Sequence, residues 1–300
     1  MSRSAVAIAT FSEVVNQDFD DLQVIEALGR RGIRAVHEIW DNPRVDWSSY
    51  ALTVVRSTWD YSDRCREFLA WAGRLPRVLN PLAILKWNTN KRYLEELAAA
   101  GIPVVPTHFL EPTDAFVPPS EPFVVKPSVS CSAKDTARYS RNEADSATEH
   151  VRRLQSDGRT VMLQPYLSGI ETTGEISLMY IDGVYTHSIC RAPSLKHSGL
   201  PYEDEVIPLS VDVYDEVRKY EPTPAERGLA DRAMSYSLCR DPNLLYARID
   251  LIPGPTGEPI ILEIELTEPT LFLAKYSDDG VERLADGIAR ALAQGLAESS

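Results

Sequence analysis

The sequence predicts an α/β (α+β) protein that begins with a small parallel-sheet domain and continues into helices and antiparallel strands. Its N-terminal part reads strand, helix, strand, strand, and its short apolar strands are typical of a buried parallel sheet. Its C-terminal part contains pairs of apolar runs joined by turn sequences, which is the pattern of hairpins. With 300 residues, of which 44% are hydrophobic and 25% charged, the chain can form more than one core.

The N-terminal elements start with an apolar strand at residues 5–10 and a helix at residues 18–31. Leu22, Ile25 and Leu28 recur at helical spacing and define the predicted buried face, and Gly32 suits the C-terminal cap. The two further strands are expected at residues 34–40 and 51–56. No GxGxxG sequence follows the first strand, so the dinucleotide-binding fingerprint is absent.

The middle of the chain alternates helices with short strands. Good helix formers predict a helix from residue 88 or 89 to residue 100, where Gly101 and Pro103 end it. The proline-rich residues 110–122 are expected to form a connector on the surface. The elements expected after it are a strand at 122–127, a helix at 146–155 and a strand at 161–167.

Two hairpins and two helices are predicted in the C-terminal part. Asp182-Gly183 is a type I′ turn sequence, so strands at 175–180 and 184–191 are expected to pair. Thr223 and Glu226 form a capping box that starts a helix reaching residue 238. The remaining expected elements are a long loop at 192–204, a second hairpin that turns at 253–259, and a last helix at 279–296.

The charge balance excludes two classes of partner. A net charge of -13 and a pI near 4.9, without a dense basic patch, argue against nucleic acids and anionic membranes. A free nucleotide can still bind to an acidic protein. Salt screens the repulsion from distant acidic residues, and a few local lysines can overcome what remains. No apolar run is long enough for a secretory signal or a membrane span. The four cysteines lack CxxC spacing, so we expect no zinc site, no disulfide scaffold and a cytoplasmic location.

The second hairpin carries charges on alternate residues of apolar strands. Arg248 and Asp250 share one face of its first strand, and Glu263 and Glu265 share one face of its second. Three close carboxylates repel one another without a cation, and oxygen ligands favour Mg2+ over zinc. The alternative is an amphipathic hairpin with a solvated acidic face. Because the acidic strand has no lysine, we favour Asp250, Glu263 and Glu265 as metal ligands.

Two lysines and a hydroxyl-rich loop are candidate phosphate contacts. Lys91 lies early in the helix predicted before Gly101, and Lys126 ends a short apolar strand. The loop at residues 128–134 contains Ser132 and other small residues, whose backbone amides can surround an anion. A solvated strand end and a plain polar surface loop are the competing interpretations.

In their order along the chain, these motifs resemble the ATP-grasp superfamily of carboxylate–amine ligases. By motif the resemblance covers residues 86–275, and it implies ATP and Mg2+ as cofactors. The fold that it implies places ATP between two α+β subdomains behind a small parallel-sheet domain. The boundaries expected from it are 1–85 for the N-terminal domain, 86–168 for the central lid subdomain and 169–300 for the C-terminal subdomain.

The resemblance also implies roles for individual residues. Lys91 and Lys126 would contact the nucleotide phosphates, with Ser132 in the loop that closes over them. Arg248 would stabilise the tetrahedral intermediate, and Glu175 would bind the ribose hydroxyls, with Glu171 as the alternative. The residues expected to clasp adenine are Gln164, Pro165, Tyr166 and Leu167. The sequence departs from the family pattern twice, since the phosphate loop has no glycine and Glu265 replaces the asparagine of D-alanine ligases.

A narrower likeness is to the small ATP-grasp group that includes cyclo-ligases of O-ureido-D-serine. It rests on Arg-Ser-Thr-Trp-Asp-Tyr at 56–61 and Leu-Glu-Ile-Glu-Leu-Thr-Glu-Pro at 262–269. It implies an enzyme that phosphorylates the carboxylate of a ureido-serine-like amino acid and closes the ring of D-cycloserine. Arg56 has the chemistry to bind a carboxylate, and Arg191 and Lys196 are candidates for γ-phosphate or substrate contact. Family members are often dimers, so we expect a homodimer.

Three alternatives stay open at this point. An intermolecular carboxylate–amine ligase would share the fold and the ATP site. A regulatory nucleotide-binding module would share the fold without catalysis, and an acidic interaction protein would not bind ATP. The complete set of Arg248, Asp250, Glu263 and Glu265 favours an enzyme over the last two.

Overall fold

The computed structural model describes residues 5–193, 195 and 217–298. Within these ranges the chain forms one parallel and two antiparallel β-sheets, with helices packed between and around them. The expected α/β (α+β) class is confirmed. Within the same ranges, none of the helices combines the length and the apolarity needed to span a bilayer.

The first sheet is parallel, and a helix follows its first strand as predicted. The elements of this region are β1 (Val6–Thr10), α1 (Phe19–Arg30), β2 (Ala35–Ile39), β3 (Leu52–Val55), α2 (Cys65–Ala72) and β4 (Val78–Leu79). The strand order is β2-β1-β3-β4. Asp18 caps α1 by accepting a hydrogen bond from the backbone N–H of Asp21. The face predicted for α1 is wrong at Leu22, which is 38% exposed, because the helix packs through Val24, Ala27 and Leu28.

The helix predicted from residue 88 or 89 to residue 100 is shorter in the structure, where α4 (Tyr93–Ala99) begins at residue 93 and a separate helix, α3 (Leu82–Asn88), precedes it. The chain turns at residues 89–92 because Asn88 bonds outside the helix. Its side-chain amide donates to the Ile264 carbonyl, and its oxygen accepts from the backbone N–H of Leu266. Lys91 therefore lies in a turn and not in a helix, and its backbone N–H donates to the Ser128 carbonyl at 2.8 Å.

The second sheet is antiparallel, and the predicted surface connector joins its first strand to the other three. Its elements are β5 (His108–Leu110), β6 (Phe123–Pro127), β7 (Ala137–Tyr139), α5 (Ala144–Ser156) and β8 (Val161–Pro165), with strand order β5-β8-β6-β7. Residues 111–122 form neither helix nor strand, as expected. Val151 and Leu154 of α5 pack with Val125 and Val161 in the core of this region.

The third sheet contains both predicted hairpins. Its region comprises α6 (Ile170–Thr173), β9 (Glu175–Ile181), β10 (Val184–Arg191), β11 (Val217–Lys219), α7 (Pro224–Arg240), β12 (Tyr246–Pro253), β13 (Pro259–Glu265), α8 (Leu273–Tyr276) and α9 (Gly280–Glu298), with strand order β11-β10-β9-β12-β13. Asp182 and Gly183 both have positive φ, at 50° and 74°, as a type I′ turn requires. The capping box of Thr223 and Glu226 also forms as predicted.

The hydrophobic cores combine residues that are far apart in the sequence. Leu284 and Ile288 of α9 pack in one cluster with Ile8 of β1 and Val54 of β3, so the last helix completes the first core. Leu94 of α4 packs with Ile249 and other residues of the third sheet. The boundaries at residues 85 and 168 stay a prediction.

Asn80 joins the first sheet to the third. Its side-chain amide donates to the carbonyls of Tyr246 at 2.9 Å and Leu266 at 2.7 Å, and its oxygen accepts from the backbone N–H of Leu245 at 2.7 Å. The side chain is completely buried, so these three bonds satisfy it without water.

Candidate active site

A cavity of about 300 Å³ is lined by residues of the second and third sheets, the loop after β6 and the N-terminal domain. The predicted site residues on its wall are Lys91, Lys126, Ser132, Gln164, Pro165, Tyr166, Leu167, Glu175, Arg191, Arg248, Asp250, Glu263 and Glu265. The fold thus brings together residues that are up to 174 positions apart, from Lys91 to Glu265. Arg56 is not part of this wall, and Lys196 lies outside the described residues.

Arg248 and Asp250 lie side by side on β12, as their spacing predicts. The Arg248 guanidinium donates to Asp250 with Nη2 at 2.9 Å, and to Glu265 of the paired strand with the same atom at 2.5 Å. Ser177 donates to the other Asp250 oxygen at 2.6 Å. Burial works against the charged form of Asp250, but Arg248 and Arg191 outweigh it and lower the pKa of this carboxyl. Burial raises the pKa of Glu265 to about 8, although Arg248 opposes the shift.

The two predicted phosphate lysines differ in their partners. The Lys91 ammonium lies 3.3 Å from Glu263 and donates to the Ser130 carbonyl at 2.8 Å. Lys126 is 7% exposed and has no hydrogen-bonding or ionic partner among the described residues. Burial lowers the pKa of Lys126, and the negative charge of Glu263 only partly compensates. Lys126 is therefore a buried cation that still needs an anion.

Glu175, at the start of β9, is placed on the cavity wall, and its rival Glu171 is not. Glu175 forms a short ion pair with Arg191, whose guanidinium also lies 3.5 Å from Asp250. Burial raises the pKa of Glu175, and Arg191 acts in the opposite direction. Glu171 is bound by Arg138 at 2.7 Å on the surface.

The end of β8 and the residues that follow it lie beside an apolar surface. The Gln164 amide donates to Thr107 Oγ1 at 2.8 Å, which fixes the side chain. The backbone N–H of Tyr166 donates to the Pro122 carbonyl at 2.9 Å. Leu167 packs on Val105 and Ile252, which also line the cavity. An aromatic base could lie against this apolar surface.

The glycine-free loop adopts a conformation that usually requires glycine. Ser132, Ala133 and Asp135 have positive φ, at 52°, 57° and 56°. Such backbone is unfavourable for residues with a Cβ. Ion pairs compensate at the far end, because Asp135 accepts from Arg153 at 2.6 Å and also binds Arg159. Lys134 in the loop binds Asp63 of the N-terminal domain at 2.6 Å.

Arg56 is part of a buried ion pair. Its Nε donates to Asp21 at 2.8 Å and its Nη1 to the Pro269 carbonyl at 3.1 Å, and the residue is 3% exposed. The start of α1 buries three aspartates, which need a counterion there. This placement does not support the predicted contact between Arg56 and a substrate carboxylate. Trp59 lines the cavity, whereas Tyr61 packs in the aromatic core against Phe68 at 5.2 Å.

Sequence reasoning assigned no role to Glu268, which the structure places on the cavity wall. The residue is 6% exposed. The available signal was a carboxylate within Thr-Glu-Pro, directly after a strand that carries two predicted ligands. Cys131, Thr270 and Phe272 line the same cavity.

The three predicted metal ligands line the cavity without forming a ready-made cage. Among the described residues, no group of three or more His, Cys, Asp or Glu side chains is arranged to hold a metal ion. Asp250 is occupied by Arg248 and Ser177, while the Glu263 and Glu265 side chains are 20% and 23% exposed. Mg2+ is commonly held by one or two carboxylates together with phosphate oxygens, so this donor set fits a magnesium ion that enters with a nucleotide.

Comparison with known proteins decides the family. A model of the N-terminal domain of D-cycloserine synthetase DcsG matches residues 6–82. The cycloserine biosynthesis protein DcsG of Streptomyces lavendulae is 35% identical over 303 residues, covering 96% of this chain and 98% of that protein. The chain belongs to the D-cycloserine synthetase family. The resemblance read from the motif order is confirmed.

Solved structures agree with membership of the D-cycloserine synthetase family and show its fold. The crystal structure of D-cycloserine synthetase DcsG matches with a TM-score of 0.86 at 33% identity, covering 96% of this chain and 99% of that one. The D-alanine–D-alanine ligase of Bacillus anthracis complexed with ATP matches with a TM-score of 0.66 at 14% identity, covering 99% and 100% of the two chains. The fold is therefore ATP-grasp, and this family member is an ATP-dependent ligase.

Proposed function

We propose that this protein uses ATP and Mg2+ to activate the carboxylate of O-ureido-D-serine, or of a closely similar amino acid, and closes the ring of D-cycloserine. Membership of the D-cycloserine synthetase family supports this assignment. The cavity has the charged wall that a nucleotide and an amino acid both need.

The observation that carries the proposal is the unpaired Lys126. A buried ammonium without a counterion is unfavourable, and the nucleotide phosphates would supply the missing anion. The apolar surface formed by Val105, Leu167 and Ile252 would receive the adenine ring, next to the end of β8.

The other charged residues of the cavity wall would bind Mg2+ and the phosphates or stabilise the reacting acyl group. Asp250, Glu263 and Glu265 would hold Mg2+, which when bound neutralises phosphate charge. Arg248, already oriented by Asp250, would stabilise the negative charge that develops on the acyl oxygen. Lys91 is oriented by Glu263 toward the loop after β6, where the phosphates would lie.

The reaction balances in three steps. The substrate carboxylate takes the γ-phosphoryl group of ATP, which gives an acyl phosphate and ADP. The oxygen-bound ureido nitrogen of the same molecule attacks the acyl carbon, loses its proton and expels phosphate, which closes the ring. Water then removes the carbamoyl group as carbon dioxide and ammonia. Because the nucleophile and the acyl group belong to one molecule, a high effective concentration assists ring closure.

Mass spectrometry of products from a panel of ureido amino acids with ATP and Mg2+ tests the proposal. O-Ureido-D-serine alone should give cycloserine and ADP, and Lys126→Met should lower the rate on the order of 100-fold, as for loss of one preorganised charge contact. Lys86→Met, on the exposed side of α3, is the matched control and should keep the wild-type rate. ADP release only after a second amine substrate is added would instead identify an intermolecular ligase.

Two further features of the proposal concern the whole protein. The family likeness supports a homodimer, and the absence of paired cysteine motifs supports a cytoplasmic location. Sedimentation velocity tests the first, and a single species of about monomer mass would contradict it.

A further inference from the structure

The carboxylates on the cavity wall are neutralised by cations of the chain, with one exception. The pairs are Glu263 with Lys91, Asp250 and Glu265 with Arg248, and Glu175 with Arg191. Glu268 lies on the same wall, and no ion pair joins it to any cation among the described residues. Its neighbour is the Cys131 thiol, whose pKa is raised by burial and by the negative charge of Glu268.

Glu268 is too deeply buried for water to stabilise its negative charge in place of a cation. The residue is 6% exposed, and what it exposes faces the cavity. Its backbone is fixed, since the indole N–H of Trp59 donates to the Glu268 carbonyl at 3.2 Å. Lys91 and Arg248 act on Glu268 only from beyond ion-pair distance, so a ligand that brings a positive charge would supply the direct counterion that this buried carboxylate lacks.

The position of Glu268 relative to Arg248 identifies the part of the ligand that carries this charge. Arg248 Nη1 donates to the Thr270 carbonyl at 3.2 Å, so the segment that carries Glu268 runs beside the guanidinium. In the proposed reaction Arg248 faces the carboxyl group under attack. In an α-amino acid the ammonium group is one carbon away from that carboxyl group, so a single substrate can reach both residues.

We propose that Glu268 is the substrate-binding residue for the α-ammonium group, and that it restricts the enzyme to α-amino acids. This inference rests on the proposed function. Nucleotide phosphates are anions, so the same carboxylate would disfavour their binding at this end of the cavity. Amino-acid recognition and phosphate recognition would therefore depend on the two unpaired charges, Glu268 and Lys126 respectively.

The test compares two substrates and three proteins. The substrates are O-ureido-D-serine and its analogue without the α-amino group, 3-(ureidooxy)propanoate. The proteins are the wild type, Glu268→Gln, which keeps the side-chain shape, and Glu258→Gln, an exposed control in the turn between β12 and β13. Thermal unfolding verifies that each variant is folded, and calorimetric binding of both compounds accompanies the kinetics.

We expect Glu268→Gln to lower kcat/KM for the amino substrate about 30-fold or more, mainly through KM, with an unchanged KM for ATP. The wild type should prefer the amino substrate over the analogue by a similar factor, and Glu268→Gln should lose that preference. Glu258→Gln should behave as the wild type does.

Two outcomes would overturn the inference. One is a preference for the amino compound that survives in Glu268→Gln. The other is a rise in KM for ATP alone, which would place Glu268 on the nucleotide or its metal. If the wild type made no cycloserine, the proposed function would fail, and the calorimetric preference for the amino compound would still decide the role of Glu268.

Discussion

At the scale of single residues, the buried charges separate into two groups. Arg56 and Asp21 form a pair that faces the core, whereas Arg248 and Asp250 form a pair that faces the cavity. Both pairs are almost completely buried, so burial alone does not distinguish a structural pair from a functional one. The bonding partners distinguish the structural pair from the functional one. Arg56 bonds to a backbone carbonyl of the segment after β13 and has no side open to the cavity.

Arg56→Met is expected to destabilise the protein by about 3 to 5 kcal/mol, because it leaves Asp21 buried without its cation. Denaturant unfolding measures this loss, with the exposed Arg141→Met as control. The folded fraction should keep the wild-type KM for the amino acid. A raised KM at unchanged stability would restore the sequence-based interpretation of Arg56 as a carboxylate-binding residue.

Asp250→Asn should lower kcat on the order of 100-fold, because the neutral amide no longer orients Arg248 by charge or offers a carboxylate to Mg2+. ADP release in a coupled assay measures the effect. Asp157→Asn at the exposed end of α5 is the control for loss of an aspartate charge. Turnover equal to the wild type would exclude Asp250 from catalysis.

The candidate site could be predicted from the sequence wherever period-two spacing applies. Arg248 with Asp250 and Glu263 with Glu265 lie on shared faces because strand geometry leaves no other choice. Arg56 could not be placed this way, since its partner Asp21 belongs to a helix and the contact depends on packing. Glu268 follows the strand in an irregular segment, where no periodicity predicts the direction of a side chain.

At the scale of elements, hairpins and capping boxes were predictable because their signals are local. The turn at Asp182-Gly183 and the cap at Thr223 form as expected. The break between α3 and α4 was not predictable, because the Asn88 side chain bonds to the backbone of Ile264 and Leu266, which lie far along the chain. The phosphate loop is a similar case, since ion pairs of Asp135 hold a backbone that its residues disfavour.

Ala133→Gly is expected to leave stability unchanged or raise it by up to ~1 kcal/mol, because φ is 57° there and glycine adopts this region without strain. Thermal unfolding measures the change. Gly174→Ala should instead lower stability. At this position φ is 85°, and a Cβ would lie 2.5 Å from the Arg191 carbonyl oxygen. A loss of more than ~1 kcal/mol in Ala133→Gly would contradict the assigned loop conformation.

β10 should confer a pH dependence on stability through His187. Burial lowers the pKa of His187 to about 4, and the ring Nε2–H donates to the Leu271 carbonyl at 2.9 Å. Because the folded state favours the neutral ring, its contribution is complete above the unfolded pKa of about 6.5 and is lost as pH falls from there toward 4. The loss is at most about 3 kcal/mol, since one pKa unit corresponds to about 1.4 kcal/mol.

The free energy of unfolding, measured with denaturant at pH values from 7 down to 4, gives the slope of stability against pH over about three pH units. His187→Gln should flatten it, and His108→Gln on the exposed side of β5 should not. An unchanged slope in His187→Gln would show that other groups dominate the acid sensitivity.

At the scale of the whole molecule, the first core is built from both ends of the chain. Leu284 and Ile288 of α9 pack against β1 and β3, and Arg31, the residue directly after α1, binds Glu282 and Asp286 of α9. The sequence predicted the helix but not its location, because an amphipathic helix fits any apolar surface of suitable shape. The N-terminal region therefore depends on the C-terminal helix for its stability.

Leu284→Ala is expected to cost about 2 to 5 kcal/mol and to shift a single unfolding transition, because it opens a cavity in the shared core. Calorimetry with intrinsic fluorescence as a second probe measures it. Val117→Ala, in the surface connector where Val117 is 79% exposed, should change stability by less than ~0.5 kcal/mol. Two separate transitions, with only the earlier one shifted, would contradict a shared core.

The three hydrogen bonds of Asn80 have a consequence for the chemical ageing of the enzyme. Conversion of Asn80 to aspartate would replace a donor by an acceptor and set it against the Tyr246 and Leu266 carbonyls. Spontaneous deamidation begins when the backbone nitrogen of the next residue attacks the asparagine side chain. That residue is Pro81, which has no backbone N–H. The linkage between the two sheets is thereby protected from the commonest route by which asparagine is lost over time.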